Sequence, residues 1–290
     1  MGAADIVPGV SGGTIALVTG IYDRLINAIH NIGLDTFKAL KNGGIPAAWR
    51  QIDGNFLLVL VAGIVSSALL FASVIHHLLD EHPILVWSFF FGLVLASALY
   101  VASQIPQWKP QYWALLAAGT ATAAFISTMT PTSIEVTSLT LFGAGALAIC
   151  AMILPGISGS FILLMIGMYT PVIAAIKGFE ITKLAIFAGG CAVGILAFSR
   201  VLSWLLKHYH NAMLAVLTGF MLGALVKIWP WKLVVSFTLS SSGAQKPLVE
   251  KLQWPTDYVL RDPQIPEAII CALAGAGVVF VMERLGKMIR

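Results

Sequence analysis

Two apolar stretches of the chain, residues 5–14 and 153–160, share a Pro-Gly-x-Ser-Gly core whose residue types could bind an anion. Proline lacks a backbone donor and glycine adopts dihedrals that other residues avoid, so the Pro-Gly pair ends any helix that reaches it. The serine and glycine residues that follow can begin a second helix whose first N–H groups have no partner. Inside a membrane, such a helix N-terminus attracts an anion, and two of them predict a phosphate-binding cradle.

The predicted binding residues belong to these two motifs and are Ser11, Gly12, Gly13, Thr14, Ser158, Gly159 and Ser160. Small residues also let membrane helices pack closely, which is the alternative explanation of the pattern. The repetition of the whole pattern in two places favours the binding hypothesis.

Three charged residues are candidates for contact with the same anion. Arg200 lies well inside a predicted span, where an arginine costs about 2.5–3.5 kcal/mol and normally faces a cavity. Its guanidinium fits a phosphate or a carboxylate, although the side chain could instead extend to the membrane surface. Asp5 could pair with Arg200, carry a proton during transport, or be an ordinary carboxylate in a first helical turn. Lys227, at the end of a span, is predicted as an interfacial anchor or as a headgroup contact.

The composition excludes a soluble globular domain. Hydrophobic residues make up 58% of the 290 residues and charged residues only 10%, whereas soluble chains carry about 25% charged residues. The formal charge of +4 is spread over loops, so there is no nucleic-acid signal. Neither a nucleophilic triad nor a metal-ligand spacing nor a phosphate-loop lysine is present, and we expect no catalytic residue, metal or cofactor.

The elements that must position the motifs are apolar blocks long enough to cross a bilayer, which takes about 20 residues each. Each motif lies in a broken block, which is an apolar block interrupted by proline and glycine. We interpret each broken block as a re-entrant hairpin, because non-helical backbone at membrane depth must be buried in protein or line a cavity. The broken blocks cover residues 6–29 and 139–176, and a helix is predicted over residues 14–29 of the first block. Three predicted spans follow each of them, at 56–79, 84–103, 112–129, 184–206, 212–228 and 267–281. The segment 229–266 is predicted to be a polar loop.

The two halves of the chain are related by an internal repeat. Residues 4–29 align with residues 151–176, so that both the Pro-Gly-x-Ser-Gly core and a later Gly-x-Tyr match. A hairpin plus three spans gives each half an odd number of crossings, which predicts opposite topologies. The expected fold is therefore an all-α polytopic membrane protein with an inverted repeat, comprising residues 1–130 and 131–290, and a site between the halves.

Two further expectations concern topology. Lysine and arginine are more numerous on the side of the membrane that holds Arg24 and Arg50, which favours that side as the cytoplasmic one. The second half has an apolar arm, residues 139–153, for which the first half has no full counterpart, so we expect an incomplete first hairpin.

The chain resembles the bacterial polyprenyl-phosphate transporter family in three stretches. These are residues 5–14 with the following Gly-Ile-Tyr, residues 154–160, and residues 219–231 with their Trp-Pro-Trp. The resemblance covers nearly the whole chain. It implies that undecaprenyl phosphate is flipped from the outer to the inner leaflet of the cytoplasmic membrane, which returns the lipid carrier used for envelope polymers. It also implies a polyprenyl phosphate lipid as the partner, with membrane lipids around it.

Two other classes of function remain open on the residues alone. A transporter or channel for a small soluble anion would use the same anion-binding centre but would need a closed aqueous path. A non-transporting membrane scaffold would leave the two Ser/Gly-rich breaks and the buried arginine without a role.

Overall fold

The computed structural model describes residues 1–5, 7, 10–129, 131–132, 134–239, 245–258 and 262–289. These residues are mostly helical. The helices of the first half are α1 (Gly2–Asp5), α2 (Gly12–Val18), α3 (Tyr22–His30), α4 (Leu34–Gln51), α5 (Gly54–Glu81), α6 (Pro83–Ser103) and α7 (Pro110–Thr128). Those of the second half are α8 (Ser138–Ile153), α9 (Gly159–Met165), α10 (Tyr169–Lys177), α11 (Ile181–His208), α12 (His210–Ala224) and α13 (Ile265–Ile289).

Within these ranges, four helices are long and apolar enough to cross a membrane: α5, α6, α11 and the Ile265–Arg284 part of α13. The helices α9 and α10 pass the same test together, but they are bent by 109° at the break between them. The apolar window of α5 has none of its residues buried inside the protein, as expected for a helix that faces lipid. The chain is a helical membrane protein.

The helix that the sequence predicts over residues 14–29 is divided in two by a turn. The helix α2 ends before Gly20, whose φ of 72° suits glycine and is rarely adopted by other residues. The same break recurs between α9 and α10 at Gly167, with a φ of 73°. In both halves the result is a 7-residue helix followed by a 9-residue helix, so the Gly-x-Tyr repeat marks a turn and not a continuous helix.

The predicted polar loop contains an antiparallel hairpin, formed by β1 (Lys232–Leu239) and β2 (Gln245–Leu252). β-Branched and aromatic residues in the first strand, followed by a Ser/Gly cluster, are a hairpin signal that the loop prediction did not use. The Trp-Pro-Trp sequence fastens this segment to the bundle. The indole of Trp229 donates to the Gln253 carbonyl at 2.9 Å, and that of Trp231 to the Pro263 carbonyl at 2.9 Å.

The base of the hairpin adjoins one end of the helix bundle, where Lys232 at the start of β1 lies over the ring of Trp87 in α6. Trp231 packs with Ile84 at the start of α6 and Ala268 near the start of α13. Helix α12 packs against α6 and α7, and its last turn leads into the hairpin. We call this end of the bundle, where α6 and α13 begin and α7 and α12 finish, the hairpin end.

Candidate functional site

Pro8 and Gly9 lie outside the described residues, and the described part of the first Pro-Gly-x-Ser-Gly motif meets the second motif in the interior of the protein. Ser11 caps the N-terminus of α2, because its Oγ accepts a hydrogen bond from the Gly13 amide at 3.1 Å. The same hydroxyl lies 3.2 Å from the carbonyl oxygens of Met152 and Leu154, to which it donates. One side chain of the first motif therefore caps its own helix and binds the end of α8 in the second half.

Two further side chains join the same backbone. The Oγ1 atom of Thr14 accepts from the Gly156 amide at 3.2 Å, and the phenol of Tyr22 donates to the Ile153 carbonyl at 3.3 Å. A Cβ atom placed on Gly13 would lie 2.5 Å from that same carbonyl oxygen, so only glycine permits this approach. Ser11 and Thr14 are almost inaccessible, at 2% and 0% exposure.

The N-termini of α2 and α9, one in each motif, differ in charge. The Asp5 carboxylate accepts a hydrogen bond from the Gly12 amide at 2.6 Å, so α2 already has an anion of its own. In the second motif the aligned residue is Met152, and the N-cap residue Ser158 makes no side-chain cap. Its Oγ is instead 2.9 Å from that of Ser160.

Arg200 lies elsewhere. Its side chain is exposed, and its Nη2 would be 2.8 Å from a Cβ atom placed on Gly33, in the turn between α3 and α4. One helical turn later, Ser203 Oγ donates to Asn27 Oδ1 at 2.9 Å and ties α11 to α3. Among the contacts of the described residues, none joins Arg200 to Asp5 or to either motif.

A second polar cluster lies at the hairpin end. Lys227 Nζ is 2.8 Å from Glu250 Oε2, and Lys232 Nζ is 3.7 Å from the same oxygen. Lys232 Nζ also donates to the Lys227 carbonyl at 2.7 Å. Each ammonium group lies over an aromatic ring. Lys227 Nζ is 5.0 Å from the ring centroid of Phe161, and Lys232 Nζ is 3.7 Å from that of Trp87. Such contacts stabilise a cation away from bulk water.

Burial and charge act in opposite directions on this cluster. Burial lowers the pKa of Lys232 from its ordinary 10.5 to about 8, although Glu250 partly opposes the change. Burial by itself would raise the pKa of Glu250, but Lys232 and Lys227 outweigh it and hold that pKa below its usual range. Near neutral pH Lys232 is therefore still mostly an ammonium group, and Glu250 is a carboxylate.

With this geometry established, comparison with known proteins is informative. Residues 1–246 match the VCA0040-like family, described as undecaprenyl phosphate translocase-like. The chain belongs to this family. A polyprenyl-phosphate transporter of Vibrio cholerae is 47% identical over 290 residues, covering 99% of this chain and 94% of that protein. One of Staphylococcus aureus is 32% identical over 251 residues, covering 79% and 83% respectively. No solved structure matches the chain.

In this member of the VCA0040-like family, sequence reasoning named Lys227 as the headgroup contact, with Lys232 in the same interfacial segment, but it assigned no role to Glu250. The missing signal was the hairpin itself. Lys232 pairs with Leu252 and Val234 with Glu250 across the two strands. Residues two positions apart on a strand share a face, so the register places Lys232 and Glu250 on the same side, where the two side chains meet.

The shifted pKa of Lys232 predicts an early loss of its charge. Since its pKa is about 8 in the folded protein and 10.5 when solvated, the unfolded chain holds this proton more tightly. The charged form therefore disfavours folding below pH 8, and that penalty fades as the pH rises from 8 to 10.5. In NMR spectra of protein with ¹³C-labelled lysine side chains, we expect one resonance to titrate near pH 8 and to be missing from Lys232→Arg. Titration of every lysine above pH 10 would contradict this assignment.

Proposed function

We propose that this protein flips undecaprenyl phosphate, or a related polyprenyl phosphate, across the bacterial cytoplasmic membrane and so recycles the lipid carrier of envelope synthesis. Membership of a translocase-like family and two relatives named polyprenyl-phosphate transporters support the substrate class. The structural observation that supports it most is the direct contact of the two broken motifs through Ser11 and Thr14. This contact holds two non-helical, polar stretches of backbone against each other inside the protein. Such backbone is not tolerated where it faces lipid.

The proposed architecture is an inverted repeat of residues 1–130 and 131–290, each with a re-entrant hairpin and three spans. Corresponding elements of matched length support it. The hairpin helices have 7 and 9 residues in both halves, and the long helices α5 and α11 have 28 residues each. In transporters of this plan, substrate sits between the repeats and access alternates as one repeat moves against the other.

The lipid phosphate would be held where the two motifs meet. The Ser158–Ser160 side of the cradle lacks a carboxylate, whereas the Ser11–Thr14 side carries Asp5. An incoming phosphate would therefore interact first with the second motif. The isoprenoid tail would remain in the bilayer beside lipid-facing helices such as α5.

Cations at the two ends of the bundle would receive and release the head. Arg200 lies near the turn between α3 and α4, and Lys227 lies at the hairpin end. A phosphate moving between leaflets would pass from one cation, through the cradle, to the other. This assigns Arg200 to an entrance and not to the centre that the sequence predicted for it.

Asp5 is the proposed proton carrier. Its carboxylate occupies the Gly12 amide at the N-terminus of α2, so protonation would remove the negative charge that faces an arriving phosphate. We expect Asp5→Asn to keep basal lipid exchange but to lose acceleration by a proton gradient. The measurement is leaflet exchange in proteoliposomes with and without the gradient, with Asp23→Asn at an exposed position of α3 as the matched control. Gradient stimulation equal to wild type in Asp5→Asn would contradict the role.

The function itself is tested in liposomes that carry undecaprenyl phosphate in one known leaflet. Protein-dependent exchange of the lipid, without uptake of labelled inorganic phosphate, is the expected result. The same assay on Arg200→Ala, beside the exposed Lys207→Ala of the same helix, tests the proposed entrance. Phosphate uptake without lipid exchange by folded protein would instead favour the small-anion transporter.

A further inference from the structure

We propose that the cavity beside Lys227, Lys232 and Glu250 is a second binding site for a phosphate monoester, and that Glu250 is a built-in anion which the incoming phosphate displaces. The identity of the ligand as a lipid phosphate rests on the proposed function. The site itself is formed by residues at the hairpin end.

The cluster has more positive than negative charge in a place with little water. The side chains of Lys232, Lys227 and Glu250 are only 6%, 20% and 17% exposed. Buried charges are tolerated when they are paired, and an excess buried cation is costly. Two lysines with one carboxylate are therefore a site that a further negative charge would stabilise.

Among the contacts of the described residues, hydrogen-bond donors are also left over. An ammonium group has three N–H donors. Lys227 donates to Glu250, and Lys232 donates to the Lys227 carbonyl but is 3.7 Å from Glu250, beyond hydrogen-bond distance. The hydroxyls of Ser127 and Thr128 line the same cavity and donate to carbonyls of their own helix, and among the described residues neither of them accepts a hydrogen bond from a lysine. An oxyanion in the cavity would supply the missing acceptor.

The cavity has room for such a group and adjoins the second motif. Its volume is about 90 Å³, and it is lined on one side by Phe161 and Met165 of α9. That space is sufficient for several water molecules or one phosphate group. The helix α9 begins directly after Ser158, so a head released from the cradle beside α9 would meet this cluster at the hairpin end.

The chemistry favours a monoester over other phosphates. A phosphate monoester carries a charge of about −1.5 to −2 near pH 7, which matches two lysines once Glu250 has moved away. With Glu250 displaced in the same way, a phosphodiester headgroup carries only one negative charge and would leave one lysine unbalanced. Glu250 keeps the lysines paired while the site is empty, so exchange of one anion for another leaves no ammonium group without a partner.

The test is calorimetric binding to the purified full-length protein in detergent, with farnesyl phosphate as the probe. Inorganic phosphate and phosphatidylglycerol are the comparison ligands. Glu250→Gln removes the competing carboxylate, and we expect it to bind farnesyl phosphate roughly tenfold more tightly than wild type. Lys227→Gln and Lys232→Gln should bind it at least tenfold more weakly, whereas Lys232→Arg should retain binding. The matched controls are Lys183→Gln and Glu180→Gln, which break an exposed ion pair with an N–O distance of 2.6 Å and should leave binding unchanged.

Each outcome bears on the proposal separately from the transport function. Tighter binding by Glu250→Gln would support the site even where a lysine variant fails to fold. Unchanged affinity in Glu250→Gln and Lys227→Gln would overturn it, and lipid exchange by the wild type in liposomes would then leave the transport function standing. Charge-dependent binding without any lipid exchange would support the site and reject the function. Equal affinity for inorganic phosphate, or tighter binding of phosphatidylglycerol, would overturn the assignment to a lipid monoester.

Discussion

Replacement of Gly13 by alanine is expected to destabilise the protein and to abolish lipid exchange. The new methyl group would lie 2.5 Å from the Ile153 carbonyl oxygen and 3.2 Å from Ser11 Oγ. The backbone of one motif would have to move away from the other, and overpacking of this kind costs about 1–3 kcal/mol. Thermal unfolding in detergent and leaflet exchange in liposomes measure the two effects.

The matched control is Gly143→Ala in α8, because a Cβ atom there meets nothing within 4 Å. Alanine is also the better helix former, so this variant should be as stable as wild type and fully active. Equal behaviour of Gly13→Ala and Gly143→Ala would mean that close contact of the motifs is not required.

The second large effect is expected for Thr14→Val. Valine has nearly the same shape, but the Gly156 amide, which now donates to Thr14 Oγ1 at 3.2 Å, would lose its acceptor in a buried position. An unpaired buried polar group costs about 1–3 kcal/mol. We expect a lower melting temperature and slower lipid exchange, since the loop of the second motif would no longer be held against α2.

Thr218→Val provides the comparison. Thr218 is 1% exposed, and its hydroxyl donates to the Leu214 carbonyl at 2.7 Å within α12. That carbonyl belongs to a regular helix, so the loss of the hydroxyl leaves no group unpaired. Loss of stability in Thr218→Val as large as in Thr14→Val would show that burial of a hydroxyl matters more than the bond between the motifs.

The long helices could be predicted from the sequence because apolar length is a strong signal. The spans predicted at 56–79 and 84–103 lie within α5 and α6. The break in the second block was also recognisable, since Pro155 and Gly156 lie between α8 and α9 and a proline interrupts the interior of a helix. The division of α2 from α3 was missed because one glycine inside an apolar run is compatible with a continuous helix until its φ is known.

Side-chain positions in the candidate site were harder to predict. Whether Arg200 faces the interior depends on the rotation of α11 about its axis, which is fixed by packing against α3 and α8. The meeting of Lys232 with Glu250 depends on strand register. Neither quantity has a signal in local sequence, whereas the two motifs could be found because their repetition is independent of packing.

The central claim is that the lipid phosphate lies where the two motifs meet. It is tested most directly with a polyprenyl phosphate carrying a photoreactive group next to the phosphate, cross-linked to the protein in liposomes and mapped by mass spectrometry. We expect labelled peptides from both motifs, around residues 11–14 and 158–160, together with labelling at the hairpin end. Labelling confined to the lipid-facing surface of α5, with both motifs unlabelled, would contradict it.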